Sequence, residues 1–104
     1  MKIIIVGCGK IGSTLAEQLS YEQHDLVVID TNPQKIQQLS ESIDVMGITG
    51  NGSSVNVLSE AGIEDAHILI AVTGSDELNL LCCVIAKKVS KCHTIARVRN
   101  PIYN

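Results

Sequence analysis

Short apolar runs alternate with helical periodicities along the whole chain. Residues 3–6, 25–29 (DLVVI), 44–48, 68–72 (ILIAV) and 94–98 (TIARV) are brief and rich in β-branched side chains, which predicts five buried strands. Between them, Ile11, Leu15, Ala16 and Leu19 recur at helical spacing, and Pro33 opens a second helix through Ile36 and Leu39. Val55 to Leu58 lie in a third helix, and a fourth starts at Asp76. Four β-α units followed by a strand require crossover connections. The predicted fold is therefore α/β, a Rossmann-like doubly wound parallel sheet of five or six strands with helices on both faces. No linker, repeat or low-complexity tract interrupts residues 1–104, so a single domain is expected.

The fourth helix is apolar on two sides. Leu78, Leu81, Cys82, Ile85, Ala86 and Val89 form the stripe expected to lie on the sheet, while Leu80 and Val84 fall opposite. Such a helix is usually buried twice, here against another subunit or against further chain. The plainer reading is two stray exposed aliphatics. Lys87, Lys88 and Lys91 near its end suit the helix dipole and need no functional explanation.

Composition narrows the picture. The chain has 104 residues, enough for one modest core that buries roughly 65% of the unfolded surface. Its apolar share is 45% with only 2% aromatic and no Phe or Trp, so Ile, Val, Leu and Ala must build that core, as in a parallel sheet covered by helices. Eight Lys and Arg against eleven Asp and Glu give a net charge of −3, and no basic run or aromatic platform is present; this argues against a nucleic-acid partner. Cys8 stands in a glycine turn, Cys82 and Cys83 are adjacent and no signal peptide precedes them, which fits a reduced, cytoplasmic setting better than a disulfide frame. Cys92-His93 has no second pair at ligand spacing, so no metal site is expected. No apolar run approaches the ~20 residues a bilayer requires. Any membrane link is expected to run through a partner.

The candidate chemistry gathers at the predicted carboxyl ends of the strands. GCGKIG follows the first strand and opens a helix, and Asp30 follows Gly12 by 18 residues at the end of the next strand. That context separates a dinucleotide fingerprint from a bare tight turn. Gly7 permits the turn, Gly9 lets a phosphate approach the backbone, and Gly12 lets helix and strand pack closely. The helix N-terminus, with Cys8, Lys10 and Ile11 around it, offers free N–H groups to a pyrophosphate, and Asp30 offers its carboxylate to both ribose hydroxyls. The same carboxylate repels a 2′-phosphate, and Thr31 and Asn32 bring no Arg, which disfavours NADP. It does not separate NAD from ATP or ADP.

Two more loops lie at strand ends. Gly50, Asn51 and Gly52 are placed to line an adenine or phosphate crevice, as are Thr73 and Gly74. Ser75 or Asp76 is also placed to cap the fourth helix, a role compatible with ligand contact. Arg97 and Arg99 alternate onto one face of the last strand, suited either to phosphate oxygens or to salt bridges with the many acids. Lys10 either reaches a terminal phosphate or stays in water.

Catalytic groups are harder to find. A dehydrogenase needs a proton donor or acceptor beside the nicotinamide and usually a substrate domain. His24, His67 and His93 sit at strand starts, the wrong end of such a sheet, and neither Tyr21 nor Tyr103 has a lysine four residues on. No catalytic residue is assigned. The rival reading is the cofactor half of an NAD-dependent dehydrogenase or reductase whose catalytic part lies elsewhere. A third is a structural Rossmann module without ligand, against which Asp30 argues.

Taken together, MKIIIVGCGKIGSTLAEQLS, VVIDTNP, GNGSSVNVLSEAGIEDAHILIAVTGSDELN and IARVRNPIY resemble the N-terminal nucleotide-binding domain of TrkA-type potassium-uptake regulators, also called the KTN or RCK domain. The resemblance spans essentially the whole chain. It implies a cytosolic subunit, peripheral to the inner face of the membrane, that binds NAD, NADH or adenine nucleotides such as ATP or ADP. It also implies gating of a membrane potassium transporter and self-association as a dimer or ring. Carried over by position, the site uses Gly7, Gly9, Gly12, Asp30, Thr73 and the phosphate candidates Arg97 and Arg99. Many members have Asp where this chain has Asn51, which keeps an acceptor and loses the charge. Such chains continue into a crossover helix and a smaller C-terminal subdomain, so these residues are expected to be part of a longer protein.

Overall fold

A computed structural model of the chain describes residues 1–103; Asn104 lies outside the described residues. Five strands, β1 (Lys2–Val6), β2 (Asp25–Asp30), β3 (Met46–Thr49), β4 (Ile68–Ala71) and β5 (His93–Ala96), form one sheet in the order β3-β2-β1-β4-β5. Every pairing is parallel, and β1 sits at the centre with Ile3 opposite Leu26 on one side and Ile68 on the other. The α-helices are α1 (Lys10–Ser20), α2 (Pro33–Ser42), α3 (Val55–Glu60) and α4 (Asp76–Val89). The predicted doubly wound Rossmann-like class is what the chain adopts, with five strands.

The strand alternation explains the two-sided core. Ile4, Val6, Val27 and Ile29 point to the face covered by Leu58, Cys82 and Ala86 of α3 and α4. Ile3, Ile5, Leu26 and Val28 point to the other, where Ala16, Ile36 and Leu39 of α1 and α2 cover them. With no Phe or Trp available, this core is built by short aliphatics stacked in two thin layers. Such layers depend on close approach of the backbones.

Helix boundaries follow local chemistry. Asn32 caps α2 through its side chain, with Pro33 at the first helical position; Ser54 caps α3 and Ser75 caps α4. Only α1 begins without a side-chain cap among the described α-helices, at Gly9.

Three expectations need correction. The sheet-facing stripe of α4 is rotated from the predicted one: Asn79, Cys82 and Ala86 are buried, whereas Leu81 is 47% exposed and Val89 37% exposed. Leu81 therefore joins Val84, at 54% exposure, on the outer face, and Leu80 is half-buried rather than outermost. A helix with nine aliphatic or thiol positions has no single apolar stripe in its sequence, so tertiary contact sets which face the sheet receives. Similarly, Ile11 of α1 is 42% exposed and does not join Ala16 on the sheet. The last strand also stops at Ala96: the Arg97 N–H makes the final bond to β4, on the Ala71 carbonyl at 2.9 Å, and Arg99 does not continue an alternation along the strand.

Candidate functional site

In an open α/β sheet, loops from neighbouring strands part where the winding reverses, and a crevice opens at their carboxyl ends. Here the reversal falls between β1, which leads outward to β2 and β3, and β4, which leads to β5. A cavity of about 270 Å³ occupies that place, lined by Gly7, Gly9, Asp30, Thr31, Gly50, Asn51, Gly52, Thr73 and Gly74, over an apolar floor of Val6, Ile29, Val72 and Leu78. Nine residues named from the sequence thus meet in one crevice.

The glycine turn is built in three different ways. Gly7 has φ +114°, a conformation that L side chains rarely adopt, and its N–H donates to the Ile29 carbonyl at 2.8 Å. Gly12 packs so that a Cβ would collide with the Gly7 carbonyl. By contrast, a Cβ on Gly9 would meet nothing within 4 Å, and the same holds for Gly74. These two lining glycines leave open space that the protein itself does not need.

Asp30 is tied into the turn. Its Oδ2 accepts the Cys8 N–H at 2.6 Å and its Oδ1 accepts the Asn32 N–H at 2.8 Å. The carboxylate is half-buried and fixed in direction, with lone pairs left on each oxygen for hydroxyl donors. Cys8 itself is buried beneath the turn, its thiol donating weakly to the Lys35 carbonyl at 3.5 Å. Burial, reinforced by the Asp30 charge, pushes that thiol above its usual range, and burial pushes Cys82 up to about 11. All four cysteines are free thiols, and no group of three or more metal-ligating side chains exists among the described residues.

Several predicted residues stand away from the crevice. Cys8 and Lys10 line a neighbouring hollow of about 340 Å³ between α1 and α2, together with Ser13, Lys35 and Gln38. Ile11 and Gly12 line neither cavity. Arg97 and Arg99 are also outside both; the Arg99 guanidinium donates to the Gly74 carbonyl. Beside it, Asp76 accepts the Arg99 and Asn100 N–H groups at 3.1 and 2.8 Å, which holds its carboxyl below the usual range. Asn51 turns its side-chain oxygen onto the Ser53 N–H and hydroxyl, closing the third loop locally.

Two residues with a part in the site were not singled out from the sequence. Lys35 lines both hollows from the first turn of α2, where a cation opposes the helix dipole. That placement was the available signal. Asn79 is completely buried behind Thr73, in the stripe Asn79, Cys82, Ala86, and a polar residue in a core stripe was the signal there.

The sheet order, the glycine turn and the carboxylate at the end of β2 define a Rossmann-like domain with a crevice at its switch point. More narrowly, the chain belongs to the TrkA-N domain family, whose family model matches residues 3–104. It is 45% identical over 104 residues to the Trk system potassium uptake protein TrkA of Halomonas elongata, covering 99% of this chain and 23% of that protein. It is 43% identical over 103 residues to a TrkA homolog of Archaeoglobus fulgidus, again 99% of this chain and 23% of the relative. The chain thus spans about a quarter of the length of these relatives. Among solved structures, the GsuK channel bound to NAD superposes with a TM-score of 0.87 at 26% identity, covering 98% of this chain and 18% of that one. GsuK bound to ADP gives 0.85 at 26% identity, covering 98% and 27%. No helix among the described residues is long and apolar enough to cross a membrane.

Proposed function

We propose that this domain is the nucleotide sensor of a potassium-uptake regulator. It binds NAD, NADH or an adenine nucleotide in the switch-point crevice, and a membrane potassium transporter reads the result. The observation that carries this reading is the uncapped start of α1 at Gly9, where a Cβ would meet nothing within 4 Å. The other α-helices each spend a side chain on their first turn, whereas α1 leaves its N–H groups and partial positive charge to an anion. Asp30 at one wall then selects a free ribose. The relatives named TrkA and the NAD- and ADP-bound GsuK channel support the same assignment. No catalytic role is assigned to the lining residues, and regulation rather than turnover is the proposed activity.

A ligand shifts such a regulator only through different affinity for two arrangements of the assembly. The outer face of α4, with Leu81 and Val84 exposed one turn apart, is the proposed self-association surface. Leu81→Lys with Val84→Lys should lower the mass measured by light scattering without lowering the melting midpoint, because neither side chain belongs to the core. An unchanged mass removes this surface from the proposal.

The direct test of the nucleotide reading is the thermal midpoint with NAD, NADH, NADP, ATP and ADP. At a hundredfold excess over Kd, a ligand stabilises by about 2.7 kcal/mol. NAD, NADH or an adenine nucleotide should raise the midpoint, and NADP should do so least. Asp30→Asn should abolish most of the shift. Since Asp30 also holds two backbone N–H groups, each protein is compared with its own ligand-free midpoint. If none of the five raises the wild-type midpoint, the sensor reading fails.

A further inference from the structure

The β4 side of the crevice ends on Thr73, whose hydrogen bonding is set by Asn79. The Asn79 side chain is 0% exposed and has four partners. Its Oδ1 accepts the Thr73 N–H at 2.8 Å and the Thr73 hydroxyl at 2.6 Å. Its Nδ2 donates to the Thr73 carbonyl at 3.1 Å and the Arg97 carbonyl at 2.9 Å. A backbone N–H only donates and a carbonyl only accepts, so these partners fix which end of the amide is oxygen.

The polarity of Thr73 follows. Its single hydroxyl hydrogen goes to Asn79 Oδ1, and the other acceptor in reach, the Ser75 carbonyl at 3.2 Å, is also within the protein. One of its lone pairs takes the Ser75 N–H at 3.2 Å. The remaining lone pair is what Thr73, a lining residue, has left to offer a ligand. Thr73 is an acceptor without a donor.

Position decides what that acceptor meets. β2 and β4 flank β1, so Asp30 and Thr73 stand on opposite sides of the glycine turn, two strand spacings or roughly 10 Å apart. With an adenosine ribose on Asp30 and phosphates at the start of α1, the next group along the ligand reaches Thr73. In a dinucleotide that group is the second ribose, which brings hydroxyl donors. In ATP it is the γ-phosphate, whose oxygens bring lone pairs against a lone pair, whereas ADP ends at the second phosphate. We infer that Thr73, positioned by Asn79, is a specificity-determining residue that favours a dinucleotide of the NAD type over nucleoside triphosphates. The inference rests on the nucleotide reading above.

Calorimetric titration of wild type with NAD and with ATP separates the two. If neither binds, the nucleotide reading is overturned and this inference with it. Given binding, Thr73→Val should weaken NAD by roughly tenfold and leave ATP unchanged or tighter, while Thr73→Ser should retain the wild-type NAD affinity. Damage to the fold would weaken both ligands together, so the NAD to ATP ratio reports polarity rather than stability. Asn79→Leu, which removes the strongest hold on the Thr73 hydrogen and leaves it only the Ser75 carbonyl at 3.2 Å, should shift that ratio toward ATP; should it not fold, the two Thr73 variants still decide. Equal losses of NAD and ATP affinity in Thr73→Val, or undiminished NAD affinity there, would overturn the assignment while leaving nucleotide binding intact.

Discussion

Gly12→Ala should destabilise the domain by about 2 kcal/mol and lower its melting midpoint by roughly 8–16 °C. Helix propensity alone gives the opposite sign, since alanine inside a helix is favoured over glycine by about 1 kcal/mol. Packing wins because a Cβ at this position points onto the Gly7 carbonyl, with the Gly7 carbonyl carbon at 2.8 Å and Val72 Cγ2 at 3.4 Å. Gly7 has no room to yield: it is held at φ +114° with its N–H on Ile29, and its own surroundings include Val72 and Thr73 backbone atoms. Relief therefore requires α1 to lift from β1, which opens the thin aliphatic layer around Ala16 and Ile5. Overpacking of this kind costs about 3 kcal/mol, from which the propensity gain is subtracted. Thermal unfolding followed by circular dichroism measures the outcome. A raised midpoint would show that α1 does not seat on the turn as described.

The fold was legible because its signals were local and repeated. Alternation of β-branched runs with helical periodicity sets the order of elements, and parallel pairing follows from the length of the connections. Strand ends were less legible: Arg97 and Val98 read as part of the run TIARV, yet the pairing of β5 with β4 ends at Ala96 and Ala71. Helix orientation failed for α4 for a related reason. Leu78, Leu81 and Val84 look equally suited to a core, and only tertiary contact shows that the sheet receives Asn79 instead. The crevice itself was legible in Gly7, Gly9, Asp30 and the loops at Gly50 and Thr73, since each lies at the carboxyl end of a strand. What spacing cannot convey is which of those groups is already satisfied. Arg99 is spent on Gly74 and Asn51 on Ser53, and the Thr73 hydrogen is spent on Asn79.

Gly9→Val should leave the fold intact and remove nucleotide binding, which separates the two glycines of one motif. At φ −77° and ψ −160° the backbone is extended, a region open to valine, and a Cβ there would meet nothing within 4 Å. The ligand-free stability should therefore change by no more than about 0.5 kcal/mol, or rise slightly as the unfolded chain loses freedom. The branched side chain would instead fill the space over the first turn of α1, where the proposed pyrophosphate must come within hydrogen-bond reach of the N–H groups. Those bonds are charge-assisted and several are lost at once, so affinity should fall by roughly a hundredfold or more. In the thermal assay, the ligand-dependent gain of about 2.7 kcal/mol should vanish while the ligand-free midpoint holds. Retained binding would mean that phosphate does not approach Gly9, and a collapse like that expected for Gly12→Ala would mean that the glycine serves packing. The two substitutions, three residues apart, thus assign Gly12 to the contact between helix and turn and Gly9 to the ligand.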